Sequence, residues 1–129
     1  MTILPMTRAV TAAAAAFFAL ATFASPAAAG SPEVLAVEVS ERGGQFTFAV
    51  TVAHADTGWD HYADAFTVHT PDGALLGTRT LFHPHVEEQP FTRSLTGVTV
   101  PPGITAVRVR AHDSVHGPGE FVDVPLPGR

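Results

Sequence analysis

One stretch of strict alternation, residues 45–54, constrains the fold of this chain more than any other feature. Phe46, Phe48, Val50 and Val52 fall on one side of an extended backbone, and small or threonine residues fall on the other. A period of two residues is typical of a β-strand with one buried face, because helical apolar residues recur every three to four positions. The stretch therefore predicts a sheet that covers an apolar core with one of its faces.

Six further segments have the length and composition of short strands. The seven predicted strands span residues 33–40, 45–54, 65–70, 74–82, 91–100, 104–113 and 120–126. Gly-Gly, Pro-Asp-Gly and Pro-Pro-Gly sequences lie between several of them, as is typical of turns. No segment shows sustained helical periodicity. This pattern predicts an all-β chain folded as a seven-stranded antiparallel β-sandwich.

The C-terminal part of the chain resembles a known superfamily of β-sandwiches. Residues 104–111, Ile-Thr-Ala-Val-Arg-Val-Arg-Ala, precede a Gly-rich loop and a last strand. This arrangement is similar to the final hairpin of a fibronectin type III-like or immunoglobulin-like domain. The sixth strand lacks the tyrosine typical of that superfamily, and the single Trp59 falls in a predicted loop. The resemblance implies an immunoglobulin/fibronectin III-like sandwich and implies no function.

The first 29 residues have the layout of a secretory signal peptide. A short start with one positive charge, Arg8, precedes an apolar run over residues 9–24, and small residues follow up to Ala29. Cleavage is expected after Ala29, which leaves a single domain over residues 30–129. We therefore expect an exported protein, periplasmic or extracellular. No membrane attachment is expected after cleavage, because the chain has no Cys to carry a lipid.

The composition excludes several classes of function. The formal net charge of the whole chain is −5. It becomes −6 after cleavage, because the leader carries Arg8 and no acidic residue. The remaining positive charges are all Arg, since the chain has no Lys. Nucleic acids and anionic membranes bind clustered positive charge, so neither is an expected partner. The absence of Cys excludes thiolate zinc sites, iron–sulfur clusters, blue-copper centres and thiol catalysis.

The predicted loops fall into two chemically different sets. Antiparallel succession places alternate connections at opposite ends of a sandwich. One end receives the tight turns at residues 41–44, 71–73 and 101–103, and the other receives residues 55–64, 83–90 and 114–119. With the strand ends beside them, the second set carries six of the seven histidines: His54, His61, His83, His85, His112 and His116. This end is the predicted functional site.

Histidines with nearby carboxylates are suited to a divalent transition metal, copper or zinc. His83-Pro84-His85 is the leading motif, because residues two apart in an extended chain project to the same side. All six histidines of this end are predicted ligands. Asp113, Glu87 and Asp60 are predicted to orient these histidines by accepting a hydrogen bond from the ring nitrogen that does not bind the metal.

The same residues also have ordinary structural interpretations. One histidine of the pair can stack on Phe91 or Pro90, and Asp113 can cap a turn. Trp59 and Tyr62 can close the open end of the core. These interpretations stay open beside the metal site.

Two functions are therefore considered. The first is an exported metal-binding module, and the second is a non-enzymatic protein-interaction or accessory module of an exported complex that binds no metal. Turnover is not expected, and no catalytic residue is assigned. Glu87 and Glu88 are adjacent and would point to opposite sides of an extended segment, so they are poorly placed to flank one scissile bond.

Overall fold

The computed structural model describes residues 18–22 and 30–129, and every regular element in this part of the chain is a β-strand. Nine strands are present there: β1 (Phe18–Thr22), β2 (Glu33–Arg42), β3 (Gln45–Ala53), β4 (Ala63–His69), β5 (Leu75–Thr80), β6 (Phe91–Val98), β7 (Ala106–Asp113), β8 (Gly117–Pro118) and β9 (Val122–Pro125). The prediction of an all-β chain is confirmed. The seven predicted strands correspond to β2 to β7 and β9.

The strands form two antiparallel sheets. The first sheet has the order β1-β2-β3-β6, and the second has the order β5-β4-β7-β8, with β9 also paired to β7. The alternation that predicted β3 is realised in its register, since Val50 pairs with Val37 of β2 and with Arg93 of β6. Both neighbours of β3 are therefore long strands of the same sheet.

One apolar cluster lies between the two sheets. Phe46, Phe48, Val50 and Val52 of β3 are all fully buried, as the alternation predicted. They belong to one cluster with residues of the opposite sheet, including Phe66 of β4. Each such side chain contributes about 1.5–3 kcal/mol when it is removed from water. This cluster fixes how the two sheets stack and thereby the positions of the strand ends.

The predicted signal peptide falls largely outside the described residues, which begin with 18–22 and resume at Gly30. Phe18–Thr22 pairs with β2 as the edge strand of the first sheet. Cleavage after Ala29 would remove this strand and leave β2 at the sheet edge. The buried apolar side chains that the structure describes lie between Val34 and Leu126, so cleavage would leave their cluster in one piece. In the described part of the chain, no helix is long and apolar enough to span a membrane.

Strand pairing brings the three histidine-bearing loops to one end. Ala63 at the start of β4 pairs with Asp113 at the end of β7, and Phe91 at the start of β6 pairs with Val52 near the end of β3. The remaining histidine, His69, lies at the other end, where its Nδ1 is 3.1 Å from the carbonyl oxygen of Gly73 in a turn. The predicted division of the histidines between the two ends is confirmed.

Candidate metal centre

Asp113 is the last residue of β7, and its side chain is fully buried. Inward alternation along the strand, through Val107, Val109 and Ala111, places it on the core side of the sheet. Its Oδ1 accepts hydrogen bonds from the backbone N–H of Val115, at 2.8 Å, and of His116. Asp113 therefore does cap the turn after β7, as the structural interpretation held, but this role uses only one of its oxygens.

Three imidazole nitrogens surround the other oxygen, Asp113 Oδ2. His54 Nε2 lies 3.1 Å from it, His61 Nε2 lies 3.2 Å from it, and His116 Nδ1 lies 3.1 Å from it. His116 Nδ1 is also 3.2 Å from His61 Nε2. We call His54, His61, Asp113 and His116 the loop-end cluster. Donor atoms of its first three members all lie within 4.8 Å of one another, which makes them a group able to hold a metal ion.

The cluster is buried on one side and open on the other. The side chain of His54 is 1% exposed, that of His61 is 22% exposed and that of His116 is 44% exposed. An ion could therefore approach from the side of His61 and His116, whereas His54 and Asp113 form the dry base of the site.

The carboxylate of Asp56 contacts the ring nitrogen of His54 that does not face Asp113. Asp56 Oδ1 lies 2.5 Å from His54 Nδ1 and also accepts the backbone N–H of Ala63 at 3.0 Å. The other oxygen, Asp56 Oδ2, accepts the backbone N–H of His85 at 2.7 Å. Because both oxygens of Asp56 act as acceptors, the ring proton of a neutral His54 belongs on Nδ1. Asp56 thus fixes both the orientation and the tautomer of His54.

This tautomer leaves the Nε2 lone pair of His54 facing oxygen atoms. The oxygens are Asp113 Oδ2 at 3.1 Å and the Gly30 carbonyl at 3.2 Å. Lone pairs repel one another at such a distance, so the arrangement requires positive charge at this point. Two sources can supply it: a second proton on His54, or a cation held between the nitrogen and the oxygens.

The electrostatics of Asp113 favour a negative site. Burial alone would raise the pKa of this carboxyl group, but hydrogen bonds from the backbone N–H groups of His116 and Val115, and from the rings of His61 and His116, outweigh burial and hold the pKa well below its usual value. Asp113 is therefore ionised at neutral pH. A buried carboxylate is costly unless it is paired, and a divalent cation would pair it.

The donor spacing fits a small divalent ion. Zinc binds imidazole nitrogen and carboxylate oxygen at about 2.0–2.2 Å, so two ligands of one tetrahedral ion lie about 3.3 Å apart. The cluster contacts of 3.1 and 3.2 Å are close to that spacing. A metal-binding histidine also usually donates its second ring N–H to a carboxylate, as His54 does to Asp56. The arrangement can therefore hold an ion.

The structure does not bring the two histidines of the leading sequence motif, His83 and His85, into the cluster. His83 is exposed, and its Nδ1 lies 3.4 Å from the carbonyl oxygen of Pro84. His85 is buried and stacked on Phe91, with 3.9 Å between ring centroids. Its Nε2 accepts a hydrogen bond from Arg93 Nη2 at 3.0 Å, so that nitrogen is not free to ligate. The stacking interpretation therefore describes His85 better than the ligand interpretation.

Three more predicted residues lie apart from the cluster. His112 occupies the outer side of β7, where its Nδ1 is 2.5 Å from Asp64 Oδ1. Glu87 and Asp60 are exposed, and among the described residues neither forms a hydrogen bond or ion pair with a cluster histidine. Asp113, predicted only to orient the ligands, instead lies among the donor atoms that could hold an ion.

Asp56 has a position that the sequence reasoning did not assign to it. The signal was present: His54-Ala55-Asp56 places a histidine and a carboxylate two residues apart at the end of a strand. Residues with that spacing project to the same side of an extended chain. The same rule, applied at residues 83–85, selected a pair whose rings do lie side by side, with 4.7 Å between centroids, but outside the cluster.

The loops that build the cluster also expose large apolar side chains. Trp59, Phe82, Val86 and Val115 are all more than half exposed. Trp59 packs edge-on against Tyr62, with 5.6 Å between ring centroids, and is 67% exposed. Trp59, which lies in the loop between His54 and His61, therefore does not close the end of the core.

The sequence of this two-sheet chain with a histidine–aspartate cluster is similar to that of a known protein. The chain is 47% identical over 87 residues to a protein from Halomicrobium mukohataei named "Putative lipoprotein". The match covers 67% of this chain and 42% of that protein, so the chain spans less than half the length of the relative. No family model matches the chain, and no solved structure matches it. The resemblance to fibronectin type III-like domains stays a prediction.

Proposed function

We propose that this chain is an exported β-sandwich domain that binds a divalent transition metal, copper or zinc, at its loop end. His54, His61 and Asp113 are the proposed core ligands, and His116 is the proposed fourth. Export is supported by the signal-peptide layout of residues 1–29 and by the similarity to a protein named as a lipoprotein. The proposed role is metal handling or sensing, without turnover.

The observation that carries the proposal is the position of His54. Its Nδ1 is tied to Asp56, so in the neutral ring the Nε2 that faces Asp113 Oδ2 carries no proton. A bound cation converts this repulsion into two ligand bonds. Imidazole nitrogen favours copper or zinc over calcium, which takes oxygen ligands.

The test uses the processed protein without a histidine tag. Metal is removed with a chelator, Cu(II) or Zn(II) is added, and binding is measured by calorimetry and by metal analysis. We expect one ion per chain with a Kd tighter than about 1 μM, which corresponds to about −8 kcal/mol. Absence of stoichiometric uptake of both metals would refute the proposal.

A matched pair of variants locates the site. His61→Ala removes a proposed ligand whose side chain is partly exposed, so the fold should tolerate it. His83→Ala removes a histidine of the leading sequence motif that lies outside the cluster. The proposal requires lost binding in the first variant and unchanged binding in the second.

A protein-interaction module is the second candidate, and the exposed large apolar side chains on the loops of this end favour it. Trp59→Ala combined with Phe82→Ala removes two of the most exposed rings. If interaction is the function, this double variant loses its partner while metal behaviour stays the same. If metal binding is the function, His61→Ala has the larger effect.

The proposed fold is an immunoglobulin/fibronectin III-like sandwich. Its support is the pairing of β7 with β9, in which Val107 lies opposite Val124. These two strands form the part of the chain that carries the resemblance.

A further inference from the structure

Gly30 lies directly against the loop-end cluster. Its carbonyl oxygen is 3.2 Å from His54 Nε2. A Cβ atom added at Gly30 would lie only 2.8 Å from Cε1 of the His116 ring, and the residue has a φ of 84°. The backbone of Gly30 therefore touches two histidines of the cluster, and its lack of a side chain makes this approach possible.

Gly30 is also the residue that would begin the processed chain, because cleavage is expected after Ala29. Before cleavage its nitrogen belongs to a peptide bond, and resonance makes such a nitrogen a poor donor toward metals. After cleavage the same nitrogen becomes a primary amine with an ordinary pKa of about 7.7–8.0. Processing thus creates a basic nitrogen on the residue whose carbonyl oxygen lies 3.2 Å from His54 Nε2.

We propose that the new amino group of Gly30 is a ligand of the metal site, so that removal of the leader completes the site. This inference rests on the proposed metal-binding function and extends it. The amine nitrogen and the carbonyl oxygen of one residue are separated by two carbon atoms, so both can bind one ion in a five-membered ring.

The donor set also narrows the choice of metal. The three imidazoles of the cluster, the Gly30 amine and the Asp113 carboxylate form a nitrogen-rich site, and Cu(II) heads the affinity order of divalent first-row ions for such donors. We therefore assign Cu(II) as the preferred ion and Zn(II) as the weaker one.

The composition of the chain makes this inference unusually easy to test. The sequence contains no Lys, so an amine at Gly30 would be the single primary amine within residues 30–129. Amine-selective acetylation, followed by hydroxylamine to reverse acylation of hydroxyl and imidazole groups, blocks that one position. The acetylated protein is then a matched control that differs only by the loss of the donor.

The experiment begins with the full-length chain, exported and processed by its host. N-terminal sequencing is expected to read Gly-Ser-Pro-Glu-Val, the residues from Gly30 onward. Cu(II) affinity is measured by chelator competition before and after acetylation, and we expect acetylation to weaken it at least tenfold. Bound Cu(II) should in turn slow acetylation of the amine. The free peptide Gly-Ser-Pro-Glu-Val reports what the amine binds without the cluster, and its affinity should be far weaker.

The outcomes separate this inference from the proposed function. Equal Cu(II) affinity before and after acetylation overturns the role of the amine and leaves the metal site standing. No metal binding in either form overturns both proposals. A processed chain that starts elsewhere than Gly30, or a peptide that binds as tightly as the protein, overturns the inference alone. Thermal unfolding of both forms without metal checks that acetylation has not disturbed the fold.

Discussion

Replacing Asp113 separates the two roles that its two oxygens perform. Asp113→Asn keeps an oxygen that can accept the backbone N–H groups of Val115 and His116, so the turn after β7 stays capped. It replaces Oδ2 with an NH2 group, which has no lone pair for a metal. Asp113→Ala removes both roles together.

The magnitudes follow from the contacts. A hydrogen bond to a charged group is worth about 1.5–3 kcal/mol and one between neutral groups about 0.5–1.5 kcal/mol. The two amide bonds therefore weaken by roughly 2 kcal/mol in total in Asp113→Asn. In Asp113→Ala the two N–H groups lose their acceptor, at a cost of about 1–3 kcal/mol each. We expect the asparagine variant to fold and the alanine variant to be the less stable of the two.

Metal affinity is expected to respond more strongly than stability. Loss of a carboxylate behind a ligand typically costs 10–100-fold in affinity, and loss of a ligand itself costs at least the upper end of that range. A metal present at 100 times its Kd stabilises the wild-type fold by about 2.7 kcal/mol. For a domain of this size, that corresponds to a rise in Tm of roughly 10–20 °C. Asp113→Asn should abolish this rise.

The assay is thermal unfolding, followed by circular dichroism, with excess chelator and then with Cu(II) or Zn(II). Wild type, Asp113→Asn and His83→Ala are compared under both conditions. His83→Ala should keep the full metal-induced rise in Tm. An undiminished rise in Asp113→Asn would refute Asp113 as a ligand, whatever the stability of that variant without metal.

Further predictions follow from the surrounding contacts. Asp56→Asn should weaken metal binding 10–100-fold by calorimetry, because the carboxylate that fixes the tautomer of His54 is lost; unchanged affinity would contradict that role. Metal affinity of the wild type should fall as the pH drops through about 6, because histidines ligate only when neutral; pH-independent binding would argue against imidazole ligands. The pKa of His85 is lowered mainly by burial and further by the charges of Arg93 and His83. Arg93→Gln should therefore raise this pKa in an NMR titration, but should not restore its ordinary value, because the ring stays buried. The lowered pKa of Asp113 means that its ionised form stabilises the fold at pH values above the unfolded-state pKa of about 3.9. This contribution should be lost as the pH falls below that value. In the presence of chelator, Asp113→Asn should therefore lose less stability than the wild type over the same acid range.

The fold was largely accessible from local patterns in the sequence. Alternation in β3 predicted which four side chains are buried, and antiparallel succession predicted which loops share an end. Both inferences depend on strand geometry, which repeats every two residues whatever the loops do. By the same parity, His112 lies on the outer side of β7. Since its neighbour Asp113 then faces inward, the two could not belong to one site, a conclusion that the sequence already contained.

The membership of the site was only partly accessible. The pair His83 and His85 stood out because it is compact in sequence. Its rings do lie side by side, with 4.7 Å between ring centroids, but local spacing does not determine whether such a pair faces the cluster. Residues 83–90 form a loop, and there the stacking of His85 on Phe91 and its bond from Arg93 decide its position. These are contacts that local spacing does not specify. The cluster instead joins His54 and Asp113, which are 59 residues apart and meet through strand pairing.

The cluster could also be purely structural, without a metal. The free energy needed to bury its charged groups in that case favours the metal site. A purely structural cluster would place a doubly protonated His54 between Asp56 and Asp113, three charged groups in a dry base. Buried ion pairs seldom repay their desolvation and are often matched or exceeded in stability by apolar residues. In such a cluster, His61 and His116 would serve only as hydrogen-bond donors to the same Asp113 oxygen. A divalent ion accounts for all three imidazoles and for the buried carboxylate at once. Stability in chelator distinguishes the two: a structural cluster keeps its full contribution without metal, whereas a metal site leaves the loop end destabilised until the ion is restored.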